Sequence, residues 1–577
     1  MAINDEVAAR LGELVTLTTL ADGTKQSFRV RAYERARDAV RTLSTPVVDM
    51  TAAELQQIDG IGASTAKKIR EYLETGTIAK LDELRGRFPP GLVEVMRIPG
   101  MGPKTVLLVR DELGVASVDD LRAAVAAERL RDLPGLGKRS EEKIAVAIER
   151  LGLHGKDRRT PIIEALPVAD EIVGLLSAQP AVDRVESAGS LRRFRETIGD
   201  VDVLVASGDP ESVMDAFGSL PVASEVLARG ETKSAILTGS GLQVDLRVVA
   251  PDQFGAALLY FTGSKAHNIE LRQRAISRGW ILNEYALTDE DGRVLAAATE
   301  ADIYGELGLE YVAPPLREGV GEVAAAAQGT LPDLVQMGDL HGDLHVHSSW
   351  SGDGRSSLED MVAAAAARGL EYVAITEHAE DLAINGLSRD QVREEREVID
   401  ALRAAHPELA ILHGAELNIG RDGSVDYDED FLAGFDWCVA SVHSLFDLPP
   451  EQQTRRLIAA MENPAVDVIG HLTGRRIGRR PGIEFDVDAV FAAASKTRTA
   501  LEINCHLDRL DVPADLLLRA RNRDDLTFVI STDSHHVSEY SHAEWGVRHA
   551  QRGWVDRSRI ANTMSRAEFL AWLGAKR

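Results

Sequence analysis

The sequence predicts a multidomain protein of α+β and α/β construction: a helical N-terminal part, a mixed αβ middle part and a C-terminal βα barrel. Three observations predict this. Residues 1–150 carry apolar side chains at helical spacing and three Gly-x-Gly helix starts; residues around 200–250 alternate apolar and polar with a period of two; and from His341 onward short apolar runs ending in histidine or carboxylate alternate with helical segments. A chain of 577 residues exceeds one compact core, so length alone predicts about three to five domains.

Composition narrows the class. Hydrophobic residues make up 44% and charged residues 27%, the balance of a soluble globular protein. No apolar run is long enough to span a bilayer, and the opening MAINDEVAAR is polar and lacks a signal-peptide pattern, so a cytoplasmic location without membrane contact is expected. Cys438 and Cys505 are the two cysteines, which excludes a disulfide framework and a multi-cysteine zinc site. The net charge of -26 argues against a polyanionic partner, yet residues 1–90 hold 13 Lys/Arg against 13 Asp/Glu. The acid excess therefore lies further along, where bound ions would offset carboxylate charge, and a local basic groove with salt-dependent binding stays open.

The first element is a helix with Val7, Leu11, Leu14 and Leu17 on one face. The segment from Phe28 to Leu43 spreads Arg29, Arg31, Arg35 and Arg41 around an amphipathic helix, the pattern of a solvated face. At Ile58 to Ile69, IDGIGASTAKKI, the pair Gly60 and Gly62 leads into a helix whose first-turn amides are free to face a phosphate. A second copy, with Gly100 and Gly102, stands at Ile98 to Val109, and a third at Leu133 to Ile144. The pattern resembles the helix-hairpin-helix motif. One copy alone reads as ordinary capping; three at intervals of about forty residues read as repeated backbone-amide contacts to phosphate, without sequence readout.

The middle part is organised around AGSLRRFRETIGDVDVLVA, Ala188 to Ala206. Val201, Val203 and Val205 alternate with Asp200, Asp202 and Leu204, which sends both carboxylates to one face of a strand. Such a face suits Mg²⁺ or Mn²⁺, while Gly189 and Ser190 form a turn where backbone amides and a hydroxyl approach a phosphate. The alternative for Asp200 and Asp202 is a solvated surface strand. On a second strand Leu242, Val244, Leu246 and Val248 alternate with Gln243, Asp245 and Arg247.

These blocks, with Gly230-Glu231-Thr232-Lys233 and Tyr260-Phe261-Thr262-Gly263-Ser264, resemble the family X DNA polymerases. The resemblance implies a helical 8-kDa-like domain at 1–90, fingers at 91–150, a nucleotidyltransferase palm at 151–248 and a thumb at 249–318; the Gly, Pro and polar residues of 319–338 read as a linker, with Ala324 to Ala327 in a short helix. It implies that Asp200, Asp202 and Asp245 hold two Mg²⁺ or Mn²⁺ ions that clamp the attacking and leaving oxygens of nucleotidyl transfer. Gly189, Ser190, Arg193 and Gly199 would then face the triphosphate; Tyr260, Phe261 and Gly263 the sugar; Asn268 the minor-groove edge of the incoming base; and Arg272 the template. Lys68 falls on the Schiff-base lysine with which some members remove deoxyribose phosphate, although Ser64 stands where a second lysine is expected. Lys67 and Arg70 beside it would lower its pKa by like charge; binding of backbone phosphate is the alternative role for Lys67 and Lys68.

From position 341 onward lie 13 of the 15 histidines. His345 and His347 share a strand face, and His378, His413 with Glu416, His443, His471 and Asp533 with His535 each follow an apolar run. In a βα barrel such strand ends carry the site. This half resembles the polymerase and histidinol phosphatase (PHP) domain, a distorted (β/α)7 barrel, here at 339–577. The resemblance implies up to three Mn²⁺, Zn²⁺ or Fe ions on His345, His347, Asp353, His378, Glu416, His443, His471, Asp533 and His535, with Glu416 bridging. Polymerase-linked members read Ser-Asp-Gly where this chain has Ser351-Gly352-Asp353-Gly354. Arg475, Arg476, Arg479 and Arg480 after His471 form a basic loop, available to steer DNA or simply solvated.

The expected function is gap filling in base excision repair with 3′-5′ exonuclease, 3′-end cleaning and abasic-site cleavage, by a monomer acting on gapped or nicked DNA with a 5′-phosphate and on dNTPs. Two other readings stay open: a nuclease whose polymerase half only grips DNA, which would never extend a primer, and a DNA-binding scaffold with silent sites. For the barrel alone, a small-phosphomonoester phosphatase is the further alternative.

Overall fold

The computed structural model describes residues 3–24, 26–43, 46–96, 98, 100–151, 159–382 and 384–576. Backbone contacts divide the chain into two compact units, 1–159 with 239–242, and 160–238 with 243–577.

The first unit is helical. Helix α1 (Ile3–Asp22) buries Val7, Leu11, Leu14, Leu17 and Leu20 against Val30, Tyr33, Ala36 and Val40 of α2 (Phe28–Thr42), both sets at three- and four-residue intervals. The Ser27 side chain caps α2 by accepting the Val30 N–H at 3.2 Å. Three further helices each follow a Gly-x-Gly pair: α3 (Ala63–Thr75), α4 (Pro103–Leu113) and α5 (Lys138–Leu151). One apolar cluster runs from Val7 to Ile148, so the segments 1–90 and 91–150 share a core.

The second unit begins with α6 (Ile162–Ser177) and a five-stranded sheet of β1 (Arg184–Ser187), β2 (Val201–Ala206), β3 (Ala223–Arg229), β4 (Lys233–Thr238) and β5 (Gln243–Val249). The spatial order is β1-β2-β5-β4-β3, with β2 and β5 parallel and the other pairs antiparallel. Along β5, Val244, Leu246 and Val248 are buried while Gln243, Asp245 and Arg247 stay half-buried, the two-residue period of a one-sided sheet. Helix α7 (Phe254–Thr262) packs Phe254, Ala257 and Leu258 on Leu204 and Ala206 of β2, and α8 (Lys265–Ile276) follows it. Residues 319–338, read as a linker, are seated on this unit: helix Glu322–Gln328 has Val323 and Ala326 in the core, and the buried Glu322 carboxylate pairs with His267 at 2.7 Å and accepts the Gly319 N–H.

Seven parallel strands follow in sequence order: β6 (Gly342–Val346), β7 (Tyr372–His378), β8 (Ala410–Asn418), β9 (Trp437–Ser441), β10 (Val468–Gly470), β11 (Ala500–Asn504) and β12 (Phe528–Ser531). A parallel bridge between Val346 and Ser534 brings the first strand next to the last, so the sheet is a nearly closed barrel. Its strands are buried almost throughout, because helices cover the outside and side chains fill the inside. Helix α9 (Ala543–Arg552) follows β12. No helix among the described residues is long and apolar enough to cross a membrane.

Candidate active sites

In the mixed sheet, parallel pairing of β2 with β5 makes Asp202 and Asp245 register partners, and Asp200 stands one residue before β2. Burial raises the Asp202 carboxyl to about 7, with the negative charges of Asp200 and Asp245 adding to it against Arg193 and Arg247. Three hard oxygen donors that repel one another in this way fit divalent cations, which convert the repulsion into ligation. Gly189 fits closely here: its φ is +60°, and a Cβ would lie 1.9 Å from Asp202 Oδ2. The turn it opens, with Ser190 in helix Gly189–Arg192, leads to Gly199 just before Asp200.

The predicted nucleotide residues converge around α7 and α8. Asn268 Nδ2 donates to the Tyr260 carbonyl at 2.7 Å, and the Arg272 guanidinium lies 5.1 Å from the Tyr260 ring centre. Phe261 meets the Tyr260 ring edge-on at 5.0 Å and carries Arg247 over its own face. Arg193 Nη1 donates to the Thr262 carbonyl and Nε to Glu318 at 3.0 Å. Gly263, at φ +69°, lies where Arg193 crosses, since a Cβ there would come within 3.2 Å of Arg193 Nη1.

In the helical unit the Gly-x-Gly pairs form one repeated turn. Gly60, Gly100 and Gly135 all have φ between +79° and +90°, and the N–H groups of Ile61, Met101 and Leu136 donate to the carbonyls of Ile58, Ile98 and Leu133 at 3.1, 2.8 and 3.0 Å. Gly62, Gly102 and Gly137, next to the helix starts, have nothing within 4 Å of a Cβ position, and no side chain caps the helices that begin after Gly62 and Gly102, a start suited to a phosphate. Lys68 on α3 donates to Ser64 Oγ at 3.0 Å and lies 5.8 Å from the Tyr33 ring centre. Its pKa is lowered first by burial, then by Lys67 and Lys80, against Glu71. Arg70, expected to contribute, is engaged with Glu74 and with the Val48 and Met50 carbonyls instead.

At the C-terminal end of the barrel the predicted ligands come together. His378 and Glu416 are register partners on β7 and β8. Glu416 lies at the centre: Oε2 is 2.7 Å from His378 Nδ1, and Oε1 is 3.1 Å from His443 Nε2 and 3.0 Å from His471 Nε2. His345 and His347 approach Glu416 at 3.5 and 3.7 Å and Asp533 at 3.7 and 3.4 Å. Asp353 reaches the same cluster from its loop, 3.4 Å from His378 and 3.6 Å from His535, with Asn385 donating to it at 2.8 Å. The extra Gly352 packs against Asn385, so the insertion is absorbed without removing Asp353 from the site.

Three overlapping donor groups each fit within 4.8 Å: His347 with His378 and His535, His345 with His347 and Asp533, and His378 with Glu416 and His443. Two of these atoms, His345 Nε2 and His347 Nε2, are buried without a hydrogen-bond partner. Buried polar atoms left facing one another are costly unless a cation joins them, so the residues fit a multinuclear centre of N and O ligands. Burial disfavours charge on Glu416 and Asp533, yet the surrounding imidazoles hold both carboxyls well below the usual range.

Sequence reasoning missed the groups that orient these ligands. Glu502, fully buried in β11, accepts from His345 Nδ1 at 2.6 Å through Oε1, and through Oε2 accepts the His471 N–H at 2.6 Å and Asn504 Nδ2 at 3.2 Å. Asn418 Oδ1 faces His443 Nδ1 at 2.8 Å. Glu377 takes the Ser348 and Ser351 N–H groups at 2.8 and 3.1 Å and so closes the loop that follows His347. The available signal was a charged residue inside an otherwise apolar strand, as in Ala500-Leu501-Glu502-Ile503-Asn504. Two expectations shift. His413 faces away from the site, pairing with Glu395 and Arg396 because it has the opposite strand parity to Glu416. In the basic loop, Arg475 is largely buried and pairs with Glu196, while Arg476, still about a third exposed, pairs with Asp508.

Comparison with known proteins follows the same division. The family model for a helix-hairpin-helix domain matches residues 2–78, a helix-hairpin-helix tandem 92–150, the DNA polymerase beta thumb 257–318 and the PHP domain 343–563. The chain is 37% identical over 551 residues to the DNA polymerase/3′-5′ exonuclease PolX of Bacillus subtilis, covering 95% of both chains. It is 28% identical over 325 residues to DNA polymerase lambda of Rattus norvegicus, covering 50% of this chain and 52% of that protein. A probable phosphatase of Shewanella sediminis is 33% identical over 173 residues, 28% of this chain and 63% of that protein.

Proposed function

The chain belongs to the family X DNA polymerases that carry a PHP domain, and from that premise we propose that it fills short gaps in DNA during base excision repair and trims or cleans 3′ ends with its barrel. The observation that carries this reading is the apposition of Asp202 and Asp245 on parallel strands, with Asp200 beside them and the Gly189 turn pressed against Asp202.

Asp200, Asp202 and Asp245 would hold two Mg²⁺ or Mn²⁺ ions, which when bound supply Lewis-acid stabilisation to the attacking and leaving oxygens. The chain's own part is to position the nucleotide. Gly189, Ser190, Arg193 and Gly199 receive the triphosphate with backbone amides, a hydroxyl and a guanidinium fork. Tyr260 and Phe261, braced by Asn268 and Arg272, wall off the sugar, and Gly263 keeps the path of Arg193 open.

In the barrel His345, His347, Asp353, His378, Glu416, His443, His471, Asp533 and His535 would hold up to three Mn²⁺, Zn²⁺ or Fe ions, whose chemistry is activation of water toward a phosphodiester. The residues serve 3′-5′ exonuclease and abasic-site cleavage. The helix starts at Gly62 and Gly102, with the turns at Gly60 and Gly100, bind backbone phosphates of gapped or nicked DNA, the first of them on the 5′-phosphate side. Lys68 is the candidate deoxyribose-phosphate lyase nucleophile. The enzyme acts as a cytoplasmic monomer on DNA and dNTPs.

The test uses a one-nucleotide-gapped, 5′-phosphorylated DNA with Mn²⁺, with and without dNTPs, on the intact chain, on Asp200→Ala/Asp202→Ala and on His345→Ala/His347→Ala. The reading requires that extension disappear in the aspartate variant alone and 3′ shortening in the histidine variant alone. An intact chain that degrades DNA but never extends it would reduce the polymerase half to a DNA grip.

A further inference from the structure

The turn that is to receive the triphosphate is built partly by the barrel. Nearly every residue from Arg192 to Glu196 touches it or its helix α9. Arg548 Nη2 donates to the Arg192 carbonyl at 3.4 Å and Arg552 Nη1 to the Arg193 carbonyl at 3.1 Å. Phe194 is buried at φ +56°, a left-handed conformation that a bulky side chain adopts only when its surroundings hold it, and the Arg548 guanidinium lies 4.6 Å from its ring centre. Glu196 is gripped by both Nη atoms of Arg475 at 3.0 and 2.8 Å.

Glu318 ties these contacts to the nucleotide arginine. Its carboxylate accepts from Arg193 Nε at 3.0 Å, Arg195 Nη1 at 3.2 Å and Arg552 Nη1 at 2.8 Å, and it is largely buried. A triphosphate entering the palm competes with Glu318 for Arg193. The more of the Glu318 charge that Arg552 neutralises, the less Arg193 is held back.

We infer that Arg552, a residue of the nuclease barrel, is a positioning residue for the polymerase half: through Glu318 and the Arg193 carbonyl it sets Arg193 free to bind the incoming nucleotide's phosphates. The inference rests on the reading of Arg193 as a triphosphate ligand, and it makes the barrel part of the nucleotide-binding apparatus even when its own chemistry is idle.

The experiment measures KM for dNTP and kcat for single-nucleotide insertion on gapped DNA, in the full chain, for the parent, Arg193→Ala, Arg552→Gln, Arg552→Lys, Glu318→Gln and the Glu318→Gln/Arg552→Gln double variant. Removal of 3′ nucleotides by the barrel is followed in each. Arg552→Gln is expected to raise KM about tenfold, the size of one charge-assisted hydrogen bond, and Arg552→Lys by less. In the Glu318→Gln background the same change is expected to add far less, because the carboxylate it neutralises is gone and only its bond to the Arg193 carbonyl is lost. Barrel activity stays within about twofold of the parent, since Arg552 touches none of its ligands. An unchanged KM in Arg552→Gln alongside a raised KM in Arg193→Ala overturns the inference alone. A parallel loss of both activities with a lowered melting temperature, or an equal effect in the Glu318→Gln background, overturns it in favour of a merely structural role. An unchanged KM in Arg193→Ala overturns the triphosphate reading and the inference with it.

Discussion

Replacing Glu502 by Gln tests whether the barrel cluster is a metal centre held by its supporting groups. The change is isosteric at a fully buried side chain, so packing is kept and only hydrogen-bond polarity alters. Glu502 satisfies His345 Nδ1 on one oxygen, and the His471 N–H with Asn504 Nδ2 on the other. A glutamine can satisfy one side only. With its oxygen toward His471 and Asn504, its NH₂ faces His345 Nδ1, which must then accept, moving the imidazole proton to Nε2. That is the atom 3.5 Å from Glu416 and 3.7 Å from Asp533, where a lone pair is needed to bind a cation. With the amide reversed, two donors face the His471 N–H in a dry interior, at a cost of about 1–3 kcal/mol. Either way metal affinity is expected to fall by about 10- to 100-fold, the effect typical of disturbing a ligand's hydrogen-bond partner. The assay is metal content by mass spectrometry after dialysis against graded Mn²⁺, alongside 3′-end removal and gap filling. Undiminished metal retention with undiminished nuclease activity would refute the reasoning, whereas unchanged gap filling is expected throughout.

Other consequences are equally measurable. Gly189→Ala puts a Cβ onto the Asp202 carboxylate, so nucleotide insertion should fall by roughly 100-fold while barrel activity persists; normal insertion would show that the turn need not press on Asp202. Burial opposes charge on Glu196 and Glu318, yet Arg475 for the first and Arg552, Arg193 and Arg195 for the second lower both to about 2. A carboxyl depressed in the folded state contributes stability that is present above its unfolded value near 4.5 and is lost as pH falls toward 2, on the order of 3 kcal/mol each. Urea unfolding between pH 5 and 3 should therefore steepen less with acid in Glu196→Gln than in the parent, and equal slopes would argue against the pairing. Lys68→Ala should abolish borohydride trapping of the chain on abasic DNA; a parent that does not trap would remove the lyase role.

Much of the architecture was legible in the chain because it follows from local chemistry. The period of two is a property of strands, and it placed Asp200 and Asp202 on one face and set Asp245 in an alternating second strand, while the resemblance joined the three. The three Gly-x-Gly turns were legible for a similar reason: positive φ at Gly60, Gly100 and Gly135 is a demand that the sequence meets residue by residue. The histidines and carboxylates at strand ends announced a barrel site because parallel strands deliver such ends to one rim.

What stayed hidden depends on residues far apart in the chain. Nothing near Glu502 indicates that it will face His345, 157 positions away. Nor does the run Arg192 to Glu196 indicate that its partners are Arg475, Arg548 and Arg552, some 279 to 359 positions on. By itself the sequence determined the elements, the family and the residue types at both sites, since periodicity, turn conformation and donor chemistry are carried by near neighbours. Only the tertiary structure decided that Arg475 is an ion-pair partner rather than a DNA-steering charge, that residues 319–338 are seated rather than loose, and that the barrel supports the nucleotide turn. Burial and long-range electrostatics are properties of the packed chain, and the identity of a charge says nothing of the partner that will neutralise it.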